Sequence, residues 1–120
     1  MQLDERSEKR LDGVNEALVS VVRRAARNTT VDFIVTEGLR TKERQAQLVA
    51  KGASRTMNSK HLTGRAVDLA AMIDGEVRWD WPLYHKLAKA MKDAAAECGV
   101  KIVWGGDWRT FKDGPHFELA

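Results

Sequence analysis

The sequence predicts a single α+β domain, a small antiparallel sheet with helices packed on one side. Three observations lead to this prediction. Segments of helical periodicity alternate with short β-rich runs, and an Asp-Gly pair at residues 74–75 marks a hairpin between two of those runs. A chain of 120 residues can bury one core, so we expect one domain over residues 1–120. The order helix, strand, helix, hairpin, helix, strand, strand favours α+β architecture.

The chain begins with a predicted helix followed by a predicted core strand. Residues 7–27 carry apolar side chains at steps of three and four, which predicts one continuous amphipathic helix. Ser7 is its candidate N-cap residue. Residues 31–36 are β-rich and apolar, and this composition predicts a strand in the core.

A second helix follows this strand after a short turn. Thr41 can cap the helix, which we expect to end near Lys51 with Gly52 as the residue beyond it. Arg40 therefore lies at a strand-to-helix junction. From that position its side chain could project into a cleft or remain an ordinary charge in solvent. Residues 53–58 are expected to form a loop.

The middle of the chain predicts the hairpin and the longest helix. Within residues 66–71, Val67 and Leu69 fall at every second position, so a strand would point Asp68 to one face and its apolar neighbours to the other. Residues 76–79 form the expected return strand. The next helix opens at residues 80–82, near a proline, and ends at Gly99. His85 falls off its apolar stripe and is predicted to lie on the surface.

The C-terminal part predicts two more strands. Residues 100–104 form the first, and His116 belongs to the second, within residues 111–119. Residues 105–108 read as a flexible turn between them.

Charge and cysteine content exclude several classes of protein. Residues 23–65 contain ten Lys and Arg residues against three Asp and Glu residues, which suits a polyanion such as a cell wall or a solvated basic face. No basic run has interleaved aromatic residues, so we expect no nucleic-acid partner. Cys98 is the only cysteine, which excludes an internal disulfide and a cysteine-rich zinc finger.

The sequence shows no segment for membrane insertion. No apolar run approaches the roughly 20 residues that cross a bilayer, and residues 1–10 lack the apolar core of a signal peptide. We therefore expect synthesis in the cytoplasm and, for any action outside the cell, another route of exit.

Two short clusters of histidine and carboxylate carry the predicted chemistry. His61 and Asp68 lie seven positions apart around a glycine, and His116 follows Gly-Pro near the C-terminus. Two imidazoles, one carboxylate and an open fourth position are typical of a catalytic zinc site. The same set could hold iron(II), so the ligands alone do not identify the metal. Asp113, three residues before His116, is the candidate general base, with an ordinary turn aspartate as the alternative.

Four segments together resemble a known family. Residues 59–68 (SKHLTGRAVD) resemble the SxHxxGxAxD signature of the M15 zinc peptidases. Residues 113–118 (DGPHFE) resemble the second signature of that family, an acid followed three residues later by a histidine. Residues 104–108 (WGGDW) are similar to a segment of its L-alanyl-D-glutamate endopeptidase branch, which includes phage endolysins. Residues 36–41 (TEGLRT) resemble the arginine-bearing segment of the family.

The resemblance implies a fold, a cofactor and residue roles. The expected fold is that of the Hedgehog and D-Ala-D-Ala peptidase group. One zinc ion per chain is expected on His61, Asp68 and His116. Asp113 is expected to act as the general base and then as the proton donor to the leaving amine, although many members of the family have glutamate there. Arg40 is expected to stabilise the developing oxyanion or hold a substrate carboxylate.

The implied function is cleavage of the L-Ala–D-Glu bond in peptidoglycan stem peptides. Ser59, Arg40 and Trp104 are the expected substrate-binding residues. One alternative is a D-Ala-D-Ala carboxypeptidase or dipeptidase of the same family, and another is a zinc-containing cell-wall-binding module without turnover. We expect a monomer without a separate wall-binding domain, which acts on the wall after release by a holin-type, pore-forming partner.

Overall fold

Two of the four helices cover one face of a five-stranded antiparallel sheet. The computed structural model of the protein describes residues 1–54 and 56–120. Strand order in the sheet is β1-β2-β5-β4, and β3 pairs with β2 to complete the hairpin. The helices are α1 (Glu5–Arg10), α2 (Glu16–Asn28), α3 (Lys42–Ala50) and α4 (Trp81–Cys98); the strands are β1 (Asp32–Glu37), β2 (Ala66–Ile73), β3 (Glu76–Arg78), β4 (Ile102–Trp104) and β5 (His116–Leu119). The predicted α+β class is confirmed.

The two faces of the sheet differ in chemistry because side chains alternate along each strand. Val67 and Leu69 in β2, with Phe117 in β5, join the buried core that α2 and α4 complete. Asp68 and His116 project from the opposite face, and they are direct cross-strand partners in the β2–β5 register. The strand pairing therefore places a carboxylate beside an imidazole, 48 positions away in sequence.

The N-terminal segment differs from the prediction, because residues 7–27 do not form one helix. Asp4 caps α1 and Asn15 caps α2, each through its side-chain oxygen. Between the two helices Gly13 adopts a φ of +81°, the left-handed region that glycine tolerates best. Any side chain at Gly13 would collide with Leu39. The chain thus turns at this glycine so that it can pack closely against the segment after β1.

Ser7 is not an N-cap residue but a buried partner of β1. Its hydroxyl accepts a hydrogen bond of 2.9 Å from the Val35 backbone N–H, and the Arg10 guanidinium donates to the Val35 carbonyl at 3.0 Å. Since β1 is the last strand on its side of the sheet, these bonds satisfy backbone groups that have no neighbouring strand. Helix α1 therefore covers the outer edge of β1.

The remaining elements follow the sequence closely. Thr41 caps α3 by accepting from the Arg44 N–H at 3.1 Å. Gly99 ends α4 in the left-handed conformation. His85 is exposed on α4, as predicted, whereas Tyr84 joins the buried stripe. Arg55, within the predicted loop at 53–58, lies outside the described residues.

Two smaller observations complete the description. Residues 105–107 form a 3-10 turn where an irregular turn was expected. Among the helices in residues 1–54 and 56–120, none combines the length and apolar character that a bilayer span requires.

Candidate functional site

An open groove of about 560 Å³ lies on the face of the sheet that carries Asp68 and His116. The end of β1, the turn before β2, and the segment before β5 contribute its lining. His61, Asp68 and His116 lie together in it, with one ligand-type atom from each residue within 4.8 Å of the others. The structure therefore brings together the three residues that the sequence predicts as a metal set.

A short 3-10 turn, Lys60–Thr63, positions His61. The Ser59 hydroxyl caps this turn by accepting from the His61 backbone N–H at 3.2 Å. On the ring, Nδ1 lies 2.8 Å from the Gly38 carbonyl oxygen. A carbonyl only accepts, so Nδ1 carries a hydrogen and Nε2 is the ring nitrogen left for a second partner. That Nε2 atom lies 3.2 Å from Asp68 Oδ1.

His116 is oriented in the same way by Glu118. Its Nε2 atom lies 2.8 Å from Glu118 Oε1, and Lys60 Nζ lies 3.0 Å from the other oxygen of that carboxylate. Burial opposes ionisation of Glu118, but hydrogen bonds from His116 and Lys60 outweigh it and lower its pKa. An ionised Glu118 accepts a hydrogen from Nε2, so Nδ1, which lies 3.2 Å from Asp68 Oδ1, is the nitrogen available to a cation.

A cation that replaces the hydrogens between the two rings and Asp68 would meet two imidazole nitrogens and one carboxylate oxygen, a donor set that suits it. Burial opposes ionisation of Asp68, but hydrogen bonds and charge from His116 and His61 hold its pKa well below the ordinary value. Burial would lower the pKa of His116, yet Asp68 and then Glu118 raise it. The site thus attracts positive charge. Two imidazole nitrogens and one carboxylate oxygen are ligands that zinc and related divalent ions accept.

Arg40 lies at the edge of this cluster and is almost fully enclosed. Glu37 accepts two hydrogen bonds of 2.7 Å from its guanidinium, and the Gln45 side-chain oxygen accepts a third of 2.7 Å. Its Nη2 atom lies 3.7 Å from Asp68 Oδ2. The arginine is therefore a fixed charge beside the carboxylate, rather than the mobile solvent charge that the sequence left as an alternative.

Gln45 connects Arg40 to the loop on that side of the groove. Its side chain is fully buried in α3, and its Nε2 donates to the Ser54 hydroxyl at 2.8 Å and to the Thr56 carbonyl. One buried amide thus fixes both the arginine and the loop wall.

Asp113 faces the groove from the segment before β5. Its backbone N–H donates to the Gly105 carbonyl at 3.0 Å, and its own carbonyl accepts from the His116 N–H at 3.2 Å. Burial, followed by the nearby charge of Asp68, raises the pKa of the Asp113 carboxyl. A more basic carboxylate near the three converging acceptors is suited to proton transfer.

Trp104 does not line the groove, contrary to its expected contact with substrate. Its side chain is 3% exposed, it stacks on Phe117, and its indole N–H donates to the Gly114 carbonyl at 2.7 Å. Trp104 thus supports the turn that carries Asp113. Trp108 lines the groove instead, with its ring centroid 5.1 Å from that of His116.

Four contributors were absent from the residues predicted from sequence: Glu37, Gln45, Trp108 and Glu118. Glu118 could have been found, because residues two apart on a strand share a face and His116 was already assigned to one. Glu37 and Gln45 gave no comparable signal, since neither forms a recognisable pattern with Arg40.

Gly38 supports the site through its backbone, and its replacement by alanine is expected to be costly. A Cβ atom there would overlap the Arg10 carbonyl and the Val14 side chain. We expect Gly38→Ala to lower the free energy of unfolding by about 1–3 kcal/mol. Because the Gly38 carbonyl orients His61, affinity for a divalent ion should fall roughly 10–100-fold. Chemical denaturation and metal titration measure the two effects.

Gly52→Ala is the matched control for this change. Its backbone is left-handed, but a Cβ atom there meets nothing within 4 Å. It should cost about 1 kcal/mol through strain alone and leave metal affinity unchanged. A Gly38→Ala protein with wild-type stability and metal affinity would show that neither the close packing at Gly38 nor its carbonyl contact with His61 requires glycine.

The fold and the site define the class of protein. An α+β domain with two histidines and an aspartate converging in an open groove, beside a second aspartate, is typical of M15-type metallopeptidases. Within that class, the chain belongs to the phage L-alanyl-D-glutamate peptidase family, whose model matches residues 1–120.

Individual relatives agree with this assignment. The L-alanyl-D-glutamate peptidase of Escherichia phage T5 is 36% identical over 129 residues, covering 95% of this chain and 94% of the relative. The crystal structure of the L-Ala D-Glu endopeptidase ChiX from Serratia marcescens is 49% identical, with a TM-score of 0.95 over 100% of this chain and 90% of its own. The fold is shared by VanY, a D,D-pentapeptidase from a VanB-type vancomycin-resistance cassette whose structure was solved with Zn(II). The two chains are 20% identical, and the TM-score is 0.60 over 88% of this chain and 72% of VanY.

Proposed function

We propose that the protein hydrolyses the L-Ala–D-Glu bond of peptidoglycan stem peptides, with one zinc ion held by His61, Asp68 and His116. The observation that carries the proposal is the convergence of three acceptor atoms within 4.8 Å in a groove that Asp113 also lines. Family membership supports the choice of bond.

The ligand atoms follow from the hydrogen bonds of the two rings. Nε2 of His61 and Nδ1 of His116 are the nitrogens turned toward Asp68 Oδ1, which lies 3.2 Å from each, and they would hold the ion once it replaces their hydrogens. A bound zinc ion supplies Lewis-acid chemistry, because it polarises a carbonyl group and lowers the pKa of water.

Asp113 is the proposed general base. Its carboxyl is half-buried in the groove, and its raised pKa makes it a better proton acceptor than an exposed aspartate. It would take the proton of the attacking water and return it to the amine of the leaving D-glutamyl fragment. The Gly105 and Trp104 contacts to residues 113–114 hold the carboxylate in place for both transfers.

Arg40 and Ser59 are proposed to prepare the site for substrate. The guanidinium of Arg40 is fixed on three sides, and each terminal nitrogen keeps one further N–H. A fixed cation requires no reorganisation when negative charge develops on the substrate, and this is how preorganised donors accelerate such reactions. Ser59 lines the groove next to His61 and caps its turn.

Mass spectrometry of digested muropeptides tests the proposed bond. The expected products are fragments with a new N-terminal D-glutamate, formed by the zinc-loaded protein, abolished by a chelator and restored by zinc. Release of D-alanine instead would identify the carboxypeptidase or dipeptidase alternative. Binding to peptidoglycan without any cleavage would identify the non-catalytic module.

Glu118→Gln tests the carboxylate that orients His116. Glutamine keeps nearly the same shape but lacks the charge that receives the imidazole N–H, so zinc affinity should fall about 10–100-fold. Competition with a chromophoric chelator measures this affinity. Glu76→Gln, on the exposed strand β3, is the control and should bind zinc like the wild type. Equal zinc affinity in both variants would show that the Glu118 carboxylate does not support zinc binding through His116.

We further propose that the protein acts as a monomer and reaches the wall through a holin-type, pore-forming partner, as expected for an endolysin. The phage T5 relative motivates this part of the proposal. Production of the protein alone should leave a bacterial culture intact, and co-production of a pore-forming protein should lyse it. Lysis without the partner would contradict this route, and size-exclusion chromatography tests the monomer.

A further inference from the structure

Phe111 has a backbone conformation that its residue type disfavours. Its φ is +53°, in the left-handed region where bulky side chains are rare. Among the described residues other than glycine, Asp74 is the other one with positive φ, and it belongs to the Asp74-Gly75 hairpin turn, where that conformation is ordinary. Asparagine or glycine would adopt the Phe111 backbone more easily. The aromatic ring is therefore kept at an energetic cost.

The Phe111 side chain lies outside the hydrophobic core. Phe111 is 66% exposed, more than Trp79, the next most exposed of the large apolar side chains in the described part of the chain. It lines the groove two residues before Asp113, together with Trp108. Large apolar side chains exposed in a groove commonly mark a place where a ligand packs.

The strand order gives the groove two unlike walls. Arg40 and the loop that Gln45 anchors follow β1, on one side of the Asp68–His116 pair, and Ser54 and Thr56 make that wall polar. Trp108 and Phe111 lie between β4 and β5, on the other side of the pair. The groove is therefore polar beyond Asp68, where Arg40 is paired with Glu37, and aromatic beyond His116.

The two halves of the proposed substrate differ in the same way. On one side of the L-Ala–D-Glu bond, D-glutamate carries a carboxylate. On the other side, L-alanine is amide-linked to the lactyl group of N-acetylmuramic acid, so this half offers the methyl groups of alanine and lactyl and the C–H surface of a sugar ring. Aromatic side chains present large apolar surfaces of fixed shape, which suit such groups.

We propose that Phe111 and Trp108 form the subsite for the muramoyl-L-alanine half of the substrate, with Phe111 as a specificity-determining residue that packs against the lactyl group and the sugar. This inference rests on the proposed function. It assigns a direction to the bound substrate, with the glycan leaving the groove past β4 and D-glutamate lying toward Arg40.

The product N-acetylmuramoyl-L-alanine is a probe that does not depend on the rest of the stem peptide. Its dissociation constant with the zinc-loaded protein is measured by NMR titration, and saturation transfer to its lactyl and alanine methyl groups reports aromatic contact. Phe111→Asn removes the ring but suits the left-handed backbone, and Phe111→Tyr keeps the ring. Val77→Asn, on exposed β3, is a control for loss of an apolar surface residue outside the groove.

The expected result is binding roughly three- to tenfold weaker for Phe111→Asn, with wild-type binding for Phe111→Tyr and Val77→Asn. A far-UV circular dichroism spectrum like that of the wild type shows that Phe111→Asn is folded. Wild-type affinity in Phe111→Asn, or no binding by the wild type, would overturn the inference. If the wild type still releases fragments with N-terminal D-glutamate, the proposed function survives that failure; if it does not, both fail.

Discussion

Replacing Asp113 with asparagine is expected to lower kcat for hydrolysis of purified peptidoglycan by about 10²–10⁴-fold, the usual contribution of a general acid–base group. Asparagine has the size of aspartate, so the backbone bonds to Gly105 and His116 should persist. The side chain can no longer accept the proton of water or deliver it to the leaving amine. Zinc content, measured by atomic emission, should remain at one ion per chain.

Asp107→Asn provides the matched control for Asp113. Asp107 lies in the 3-10 turn before it, half exposed, and pairs with Lys92 at 2.7 Å. The same change of charge there should leave kcat near the wild-type value. Full turnover by Asp113→Asn would remove Asp113 from the mechanism, and loss of zinc from that variant would show that it acts on the ligands instead.

His61→Ala is expected to lose both the metal ion and all measurable activity. His61 is 2% exposed, and its ring forms one side of the converging acceptor set. Its removal leaves two ligand atoms, so bound zinc would lack the three protein ligands that catalytic sites provide. Titration with zinc followed by a muropeptide digest measures both losses in one preparation.

His85→Ala distinguishes loss of a ligand from loss of any histidine. His85 is exposed on α4 and contacts the Trp104 ring at a centroid distance of 5.1 Å, away from the three acceptors. This variant should bind one zinc ion and cleave at the wild-type rate. A His61→Ala protein that still binds one zinc ion per chain would contradict the proposed ligand set.

The sequence predicted strands and caps well where local chemistry decides the structure, and it failed where a distant contact decides it. The hairpin at residues 74–75 and the cap at Thr41 depend on neighbouring residues alone. The break after α1 is accompanied by distant contacts, because Leu39 packs against Gly13 and the Asn15 N–H donates to the Gly64 carbonyl at 2.7 Å. Leu11, Val14 and Leu18 are buried on both sides of the break, so their spacing resembles one continuous helix.

The same distinction applies to the site. The three acceptor residues and Asp113 were predicted from short motifs, and the structure brings them to one groove. The environment of Arg40 was not predicted, because Gln45 reaches it from α3 with no motif that joins the two. Trp104 was misplaced for a related reason, since a tryptophan next to glycines can face either a groove or a core. In the structure, the Gly114 hydrogen bond and the Phe117 contact hold the ring on the core side.

The cover that α1 gives to β1 has a consequence for how the protein behaves in concentrated solution. An outermost strand with unpaired backbone groups is a template for another copy of the chain and so for aggregation. In the middle of that strand, the Val35 N–H donates to the Ser7 hydroxyl, and the Val35 carbonyl accepts from Arg10. We therefore expect helix α1 to contribute to solubility as well as to stability. Removing residues from the N-terminus would expose the edge of β1 to pairing with another copy of the chain.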